Sequence, residues 1–134
     1  MLDNVSYTME KEAAFVNLKN RSRVKAYILA RVEKSLQEKR NTINSEAAMK
    51  DFVRVAALSA IDEAWIEQVD YLQQLQPAVS GRSSAQRNLM FEYQAEALES
   101  FRKMENTIKR NIIRNILLSE VSLDENHKLH IILP

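Results

Sequence analysis

The chain has 134 residues, no cysteine, one glycine, two prolines and a formal net charge of +1. Without cysteine it has no disulfides, thiolate metal sites or cysteine nucleophiles. Near neutrality, it lacks the global field that nucleic acid or an acidic substrate would select. The scarcity of helix breakers, with abundant Ala, Leu, Glu, Lys, Arg and Gln, predicts an all-α fold.

The first residues, MLDNVSYTMEKEAAF, lack the basic-then-apolar pattern of a secretory signal. No uncharged apolar run reaches the roughly 18 residues that span a bilayer. Both points predict a soluble, intracellular protein. Residues 8–19 read as a short, weakly amphipathic helix. A second helix is predicted over 21–40, where Val24, Ile28, Val32 and Leu36 recur every four residues, joined by Tyr27 and Leu29. NTINS, residues 41–45, breaks it through short polar side chains that compete for backbone hydrogen bonds.

Ser45 is a suitable N-cap, followed by Glu46 in the first turn. A long helix then runs to Gln76. Its predicted stripe for a partner helix is Met49, Phe52, Ala56, Ile61, Trp65, Val69, Leu72 and Leu75. Pro77 is expected to end it. Asn88 is the N-cap of a return helix from Leu89 to about Glu120, with Met90, Tyr93, Ala97, Phe101, Met104, Ile108, Ile112 and Ile116 as its stripe. Leu98, Ile113 and Leu117 widen that stripe. The last segment, VSLDENHKLHIILP, has the composition of a short strand without an evident partner, and is predicted to lie as a tail on the helices.

The expected architecture is therefore a long antiparallel helical hairpin with one or two shorter N-terminal helices and a short extended C-terminal tail. Its divisions are 1–44, a hairpin over 45–119 with a loop at 77–88, and the tail 120–134.

Residues suited to catalysis are sparse. His127 and His130 sit in the tail without the further ligands a metal needs. One glycine cannot build a G-x-x-x-x-G-K-[ST] phosphate loop. Asp62, Glu63 and Glu67 read as a solvated helix face rather than an acid–base pair. No enzymatic activity, metal or cofactor is expected in this chain.

Two basic features stand out. From Lys19 to Arg40 there are eight Lys or Arg against two Glu, Glu33 and Glu38. Tyr27 is the one interleaved aromatic, which argues against nucleic acid. The segment reads as a solvated helix face, with anionic headgroups as the sharper alternative. The other feature is QLQPAVSGRSSAQRN, residues 74–88, which holds Gly81, Pro77, Arg82 and Arg87 and no acid. A helical hairpin turn needs only about 2 to 5 residues. The excess suits contact with a partner or an extended peptide as well as simple connection.

Two stretches carry a family resemblance. AIDEAWIEQ, residues 60–68, resembles the I-D-x-x-W stretch on the first finger helix of SecA, the motor of bacterial protein export. FEYQAEALESF, residues 91–101, resembles that family's E-Y-x-x-E-x-x-x-x-F at the start of the second finger helix. The spacing between them matches without a gap, placing Leu75, Arg82, Ala85 and Gln86 on familiar positions. The likeness covers 45–119, and NLKNRSRVKAYILARVEKSLQEKR more loosely resembles the end of the helical wing.

The resemblance implies a C-terminal fragment of a SecA protein that begins inside the wing. Its finger tip would contact a SecY-type channel and the preprotein through Arg82, Ser83, Ser84, Gln86 and Arg87. Its body would pack on the rest of the motor and restrain it, while ATP and magnesium would belong to the motor domains. The implied location is the cytoplasm, peripherally at the inner face of the cell membrane.

Ser84 stands where the family usually has a fingertip tyrosine. Asn88-Leu89 replaces a common Asp-Pro, and no cysteine-rich zinc tail is present. These departures resemble the accessory SecA paralogue of Gram-positive bacteria. The alternative of another class is a free-standing coiled-coil adaptor that binds a partner helix.

Overall fold

A computed structural model of the chain describes residues 21–82 and 88–134. The helix expected over 8–19 lies outside them. In chain order the elements are α1 (Arg21–Ile43), α2 (Glu46–Ser80), α3 (Leu89–Leu118), β1 (Glu120–Leu123) and β2 (Leu129–Ile132). The fold is all-α in character, with one small sheet. The chain divides into two compact units. One takes its described residues from Met1–Ala56 and Ile113–Pro134; the other is Ala57–Ile112.

In the first unit, α1 runs three residues past its expected end at Arg40. Arg40 in its last turn complements the helix dipole. Thr42 Oγ1 donates to the Glu38 carbonyl at 3.0 Å and Asn41 Oδ1 accepts from Gln37 Nε2 at 3.0 Å, so these two polar side chains bond back into the helix instead of breaking it. The break comes at Asn44, whose φ of 44° is left-handed, a conformation Asn tolerates better than most residues. Ser45 then caps α2 as expected. Its Oγ accepts from the Ala48 amide at 3.3 Å, and its carbonyl accepts from the Met49 amide at 2.9 Å.

Ile43, Phe52, Ala56 and Leu117 form the apolar centre of this unit. Asn115 and Ser119 are buried among them and satisfied. Asn115 Nδ2 donates to the Ala56 carbonyl at 3.0 Å, and Ser119 Oγ donates to the Asn115 carbonyl. Lys39 Nζ reaches the Ser119 carbonyl at 2.5 Å, where α3 ends.

The tail corrects an expectation. It is an antiparallel strand pair with Val121 opposite Ile131 and Leu123 opposite Leu129. Those four are half-buried, and Glu120, His130 and Ile132 beside them are exposed. The missing partner of KLHIIL is the adjacent EVSL. Packing of α1 on β1 supplies the support that a lone hairpin lacks. Asp124 builds the turn. Its Oδ1 accepts from the Asn126 amide at 2.9 Å and from the Lys128 amide at 2.8 Å. Its Oδ2 lies 3.2 Å from His130 Nε2. These bonds, that from Lys128 foremost, hold the Asp124 carboxyl below its ordinary pKa.

In the second unit, α2 and α3 run antiparallel, with Gln68 Nε2 donating to Ser100 Oγ at 2.8 Å. A second correction concerns the end of α2, which continues through Pro77 to Ser80. Proline removes one donor and crowds the preceding turn, a cost of about 3 kcal/mol in a helix interior. The extra turn returns much of that by burying Val79, which is only 2% exposed. Ser80 Oγ bonds the Gln76 carbonyl at 2.9 Å, and the Gly81 amide bonds the Pro77 carbonyl at 3.0 Å. The connector is therefore 81–88 and not 77–88. Gly81 does not adopt a positive φ, so its lack of a side chain is not demanded by backbone shape.

The third correction is rotational. The side of α2 that is buried in this unit reads Ala60, Ala64, Gln68, Leu75 and Val79. Ile61, Trp65 and Val69, assigned to the partner-helix stripe, are exposed instead. On α3 the stripe is right at Met104, which is buried, but Met90, Leu98 and Phe101 are exposed. Small residues carry the contact because they admit a neighbouring backbone, whereas an apolar count favours the larger residues one position along.

Candidate functional site

The predicted site is the connector between α2 and α3. Its far side is set by Asn88, whose Oδ1 accepts from the Phe91 amide at 3.2 Å. The Asn88 carbonyl accepts from the Glu92 amide at 3.1 Å. Asn88 is thus the N-cap expected of it. Of the five predicted contact residues, Arg82 is described; Ser83, Ser84, Gln86 and Arg87 lie outside the described residues.

The guanidinium of Arg82 turns back onto the return helix. Its Nη1 lies 2.5 Å from Glu96 Oε1, and its Nη2 lies 3.3 Å from Glu96 Oε2. Its Nη1 is also 3.4 Å from Glu92 Oε2. This is a forked ion pair, the geometry a planar guanidinium shares with a carboxylate. The bond to Glu96 raises the Arg82 pKa above its ordinary value. The same bond lowers that of Glu96. Arg82 therefore clamps one end of the connector to α3. Glu92 and Glu96 went unassigned in the sequence, yet they are the two acids of E-Y-x-x-E. Their spacing of four marks a shared helix face. Which cation meets that face depends on where α2 ends, and the helix through Pro77 decides it.

The outer side of the same unit is the second component. Leu58, Ile61, Trp65, Ile66 and Val69 are all exposed, Trp65 at 53%. Most of them recur at steps of three and four along α2, the spacing of one helix side. With Ala60 and Ala64 buried on its other side, this stretch of α2 is apolar on two sides, a property of helices covered on both. Ile61 and Trp65 are the apolar residues of the I-D-x-x-W stretch. That motif therefore serves a surface outside the α2–α3 contact.

Between the helices an open groove of about 570 Å³ is lined by Gln68, Tyr71, Glu96, Glu99, Ser100 and Lys103, among others. Its charges are largely matched, since Lys103 Nζ sits 3.0 Å from Glu99 and Arg82 holds Glu96. Among the described residues, no cluster of three His, Asp or Glu gathers into a metal site. No helix among them is long and apolar enough to cross a membrane.

Comparison with known proteins gives a consistent answer. The family model "SecA Wing and Scaffold domain" matches residues 2–120. A protein translocase subunit SecA 2 of Streptococcus agalactiae serotype V is 44% identical over 98% of this chain and 16% of its own length. The subunit of the same name from Staphylococcus aureus strain Newman is 40% identical over 91% of this chain and 15% of its own. The chain thus spans about a sixth of the length of these relatives. No solved structure matches it. With the outward I-D-x-x-W face, the clamped E-Y-x-x-E pair and the match over 2–120, the chain belongs to the SecA wing and scaffold family.

Proposed function

We propose that the chain is the wing-end and two-helix-finger portion of an accessory SecA-type, ATP-driven protein export motor. In this reading the connector, through Ser83, Ser84, Gln86 and Arg87, contacts a SecY-type channel and the preprotein. Arg82, paired with Glu96, ties the end of α2 to α3. ATP and magnesium belong to other parts of the longer polypeptide, and the protein works in the cytoplasm at the inner face of the membrane.

One observation carries the reading furthest. The second unit has an apolar side, Leu58 to Val69, left uncovered by its own helices. That suits a body that lies against further protein. The names of the SecA 2 relatives support the translocase assignment, and the outward Trp65 supports packing on the rest of the motor.

The tip is tested by export of a dedicated substrate in cells carrying full-length protein with Arg82→Ala and Ser84→Ala, or Gln86→Ala and Arg87→Ala. Export should fall while the helical circular dichroism stays unchanged. Undiminished export in both pairs removes the tip from the mechanism. Restraint is tested by measuring ATP hydrolysis with and without residues 45–119. The rate should rise when they are deleted, and an unchanged rate removes that role.

A further inference from the structure

In the first unit, α1 is joined to its neighbours by few deep contacts. Ile43, at its last position, is the one residue of α1 that is fully buried; Val24, Tyr27, Val32 and Leu36 are only half covered. Against that background the Lys39 ammonium makes a bond of another kind. It reaches across 80 positions of sequence to the Ser119 carbonyl at 2.5 Å. That carbonyl lies just past the last helical residue of α3, where backbone acceptors lose their helical partners and cations are favoured.

The acceptor is rigidly held. Ser119 is 1% exposed. Its amide and hydroxyl both bond the Asn115 carbonyl, and the Asn115 side chain bonds the Ala56 carbonyl of α2. One continuous polar chain therefore runs from α1 through the end of α3 into α2. The donor is less securely held. Lys39 lines an open recess with Arg31, Ser35, Glu38, Thr42 and Glu120. Burial lowers its pKa, while Glu120 and Glu38 pull it back up. The charged form is thus costly to keep there and is held by this one carbonyl with two nearby carboxylates.

We propose that Lys39 is a latch: its ammonium caps the carbonyl end of α3 at Ser119 and ties α1 to the point where α3 gives way to β1. Breaking that bond loosens α1 against the strand pair, on which it still packs, while the Ser119–Asn115–Ala56 chain keeps α3 on α2. The latch rests on the geometry of this unit and stands whether or not the tip touches a channel.

Hydrogen exchange of backbone amides in the full chain tests it. Lys39→Met removes the donor and keeps the stem, and it should speed exchange in α1 over 27–37 by about tenfold, the scale of losing a charge-assisted bond. Amides of 60–75 and 95–110 should not change. Lys39→Arg should restore most of the protection, and this second variant decides the matter if the methionine protein does not fold. Unchanged exchange in α1, equal acceleration in every element, or arginine no better than methionine would each overturn the latch.

Discussion

The rotation of α2 can be tested by asking which hurts more, an alanine that gains mass or a tryptophan that loses it. Ala60 is 0% exposed and Trp65 is 53% exposed. Ala60→Leu inserts three carbons into a closed contact, an overpacking that costs about 1–3 kcal/mol. Trp65→Ala removes a ring already half in water. Fully burying a large side chain contributes about 1.5–3 kcal/mol, so the half-covered ring loses roughly 1 kcal/mol. Were the stripe Ile61–Trp65–Val69 inward, the order would reverse. Trp65→Ala would then leave a cavity costing about 3–5 kcal/mol, and leucine at Ala60 would sit harmlessly at the margin.

Urea unfolding followed by the helical circular dichroism separates the cases. With a slope of about 1.5 kcal/mol per M, the midpoint should move by roughly 0.7 M for Trp65→Ala and by ~0.7–2 M for Ala60→Leu. Acrylamide should also quench the single tryptophan readily in the folded chain. A Trp65→Ala penalty of about 3 kcal/mol or more, above that of Ala60→Leu, would falsify the outward assignment of that residue.

Four further outcomes follow from the helix ends and turns. Gly81→Ala should leave stability equal or higher by up to about 0.4–1 kcal/mol, because the added Cβ would meet the Pro77 carbonyl at 3.4 Å and no positive φ is required. A midpoint shift equivalent to losing more than about 1 kcal/mol contradicts that account. Pro77→Ala should raise the unfolding midpoint, since it returns a donor to the helix where proline costs about 3 kcal/mol; a fall would mean the proline is needed for the packing of Val79.

The Arg82 clamp should loosen in acid. The Glu96 carboxyl has a folded pKa below its ordinary 4.5. Its contribution is therefore present above that value and disappears as pH falls through the folded one. Carboxyl-detected NMR should show Glu96 titrating below its ordinary 4.5 in the native chain and returning toward that value in Arg82→Gln. An identical Glu96 titration in both proteins would refute the clamp. Asp124 follows the same sign, lowered chiefly by the Lys128 amide. Asp124→Asn should shift the β1–β2 amides while leaving those of 60–75 in place, and a silent spectrum would contradict its role in the turn.

Much of this was legible in the sequence, and for identifiable reasons. Ser45 and Asn88 cap the helices they precede because a cap depends on residues within one turn. The end of α2 was not legible, because local propensity at Pro77 is outweighed by burial of Val79, a tertiary effect. The facing side of α2 was misassigned because its contact residues are alanines, and hydrophobic weight draws the eye to Ile61 and Trp65. The tail was read without its partner because VSL is too short to stand out as a strand, and only the turn at Asp124 brings it against KLHIIL.

At the site itself, Arg82 could be named but its attachment could not. The pairing with Glu96 joins residues 14 positions apart, and it exists only because α2 extends to Ser80. Conversely, the shared face of Glu92 and Glu96 was available from spacing alone.

Pro77 has a consequence for reach. The Gln73 carbonyl can receive no helical bond from a proline, so the final turn, 77–80, is joined to the rest of α2 by one bond fewer than any turn before it. If α2 is unwound from this end against the burial of Val79, the missing bond marks where unwinding would halt, because the next residues have their full set of bonds. Four helical residues advance about 6 Å. Extended, the same four span roughly 13 Å. Releasing that single turn therefore lengthens the tether between the two helices by about 7 Å, so the proline divides α2 into a fixed shaft and a short spooled reserve.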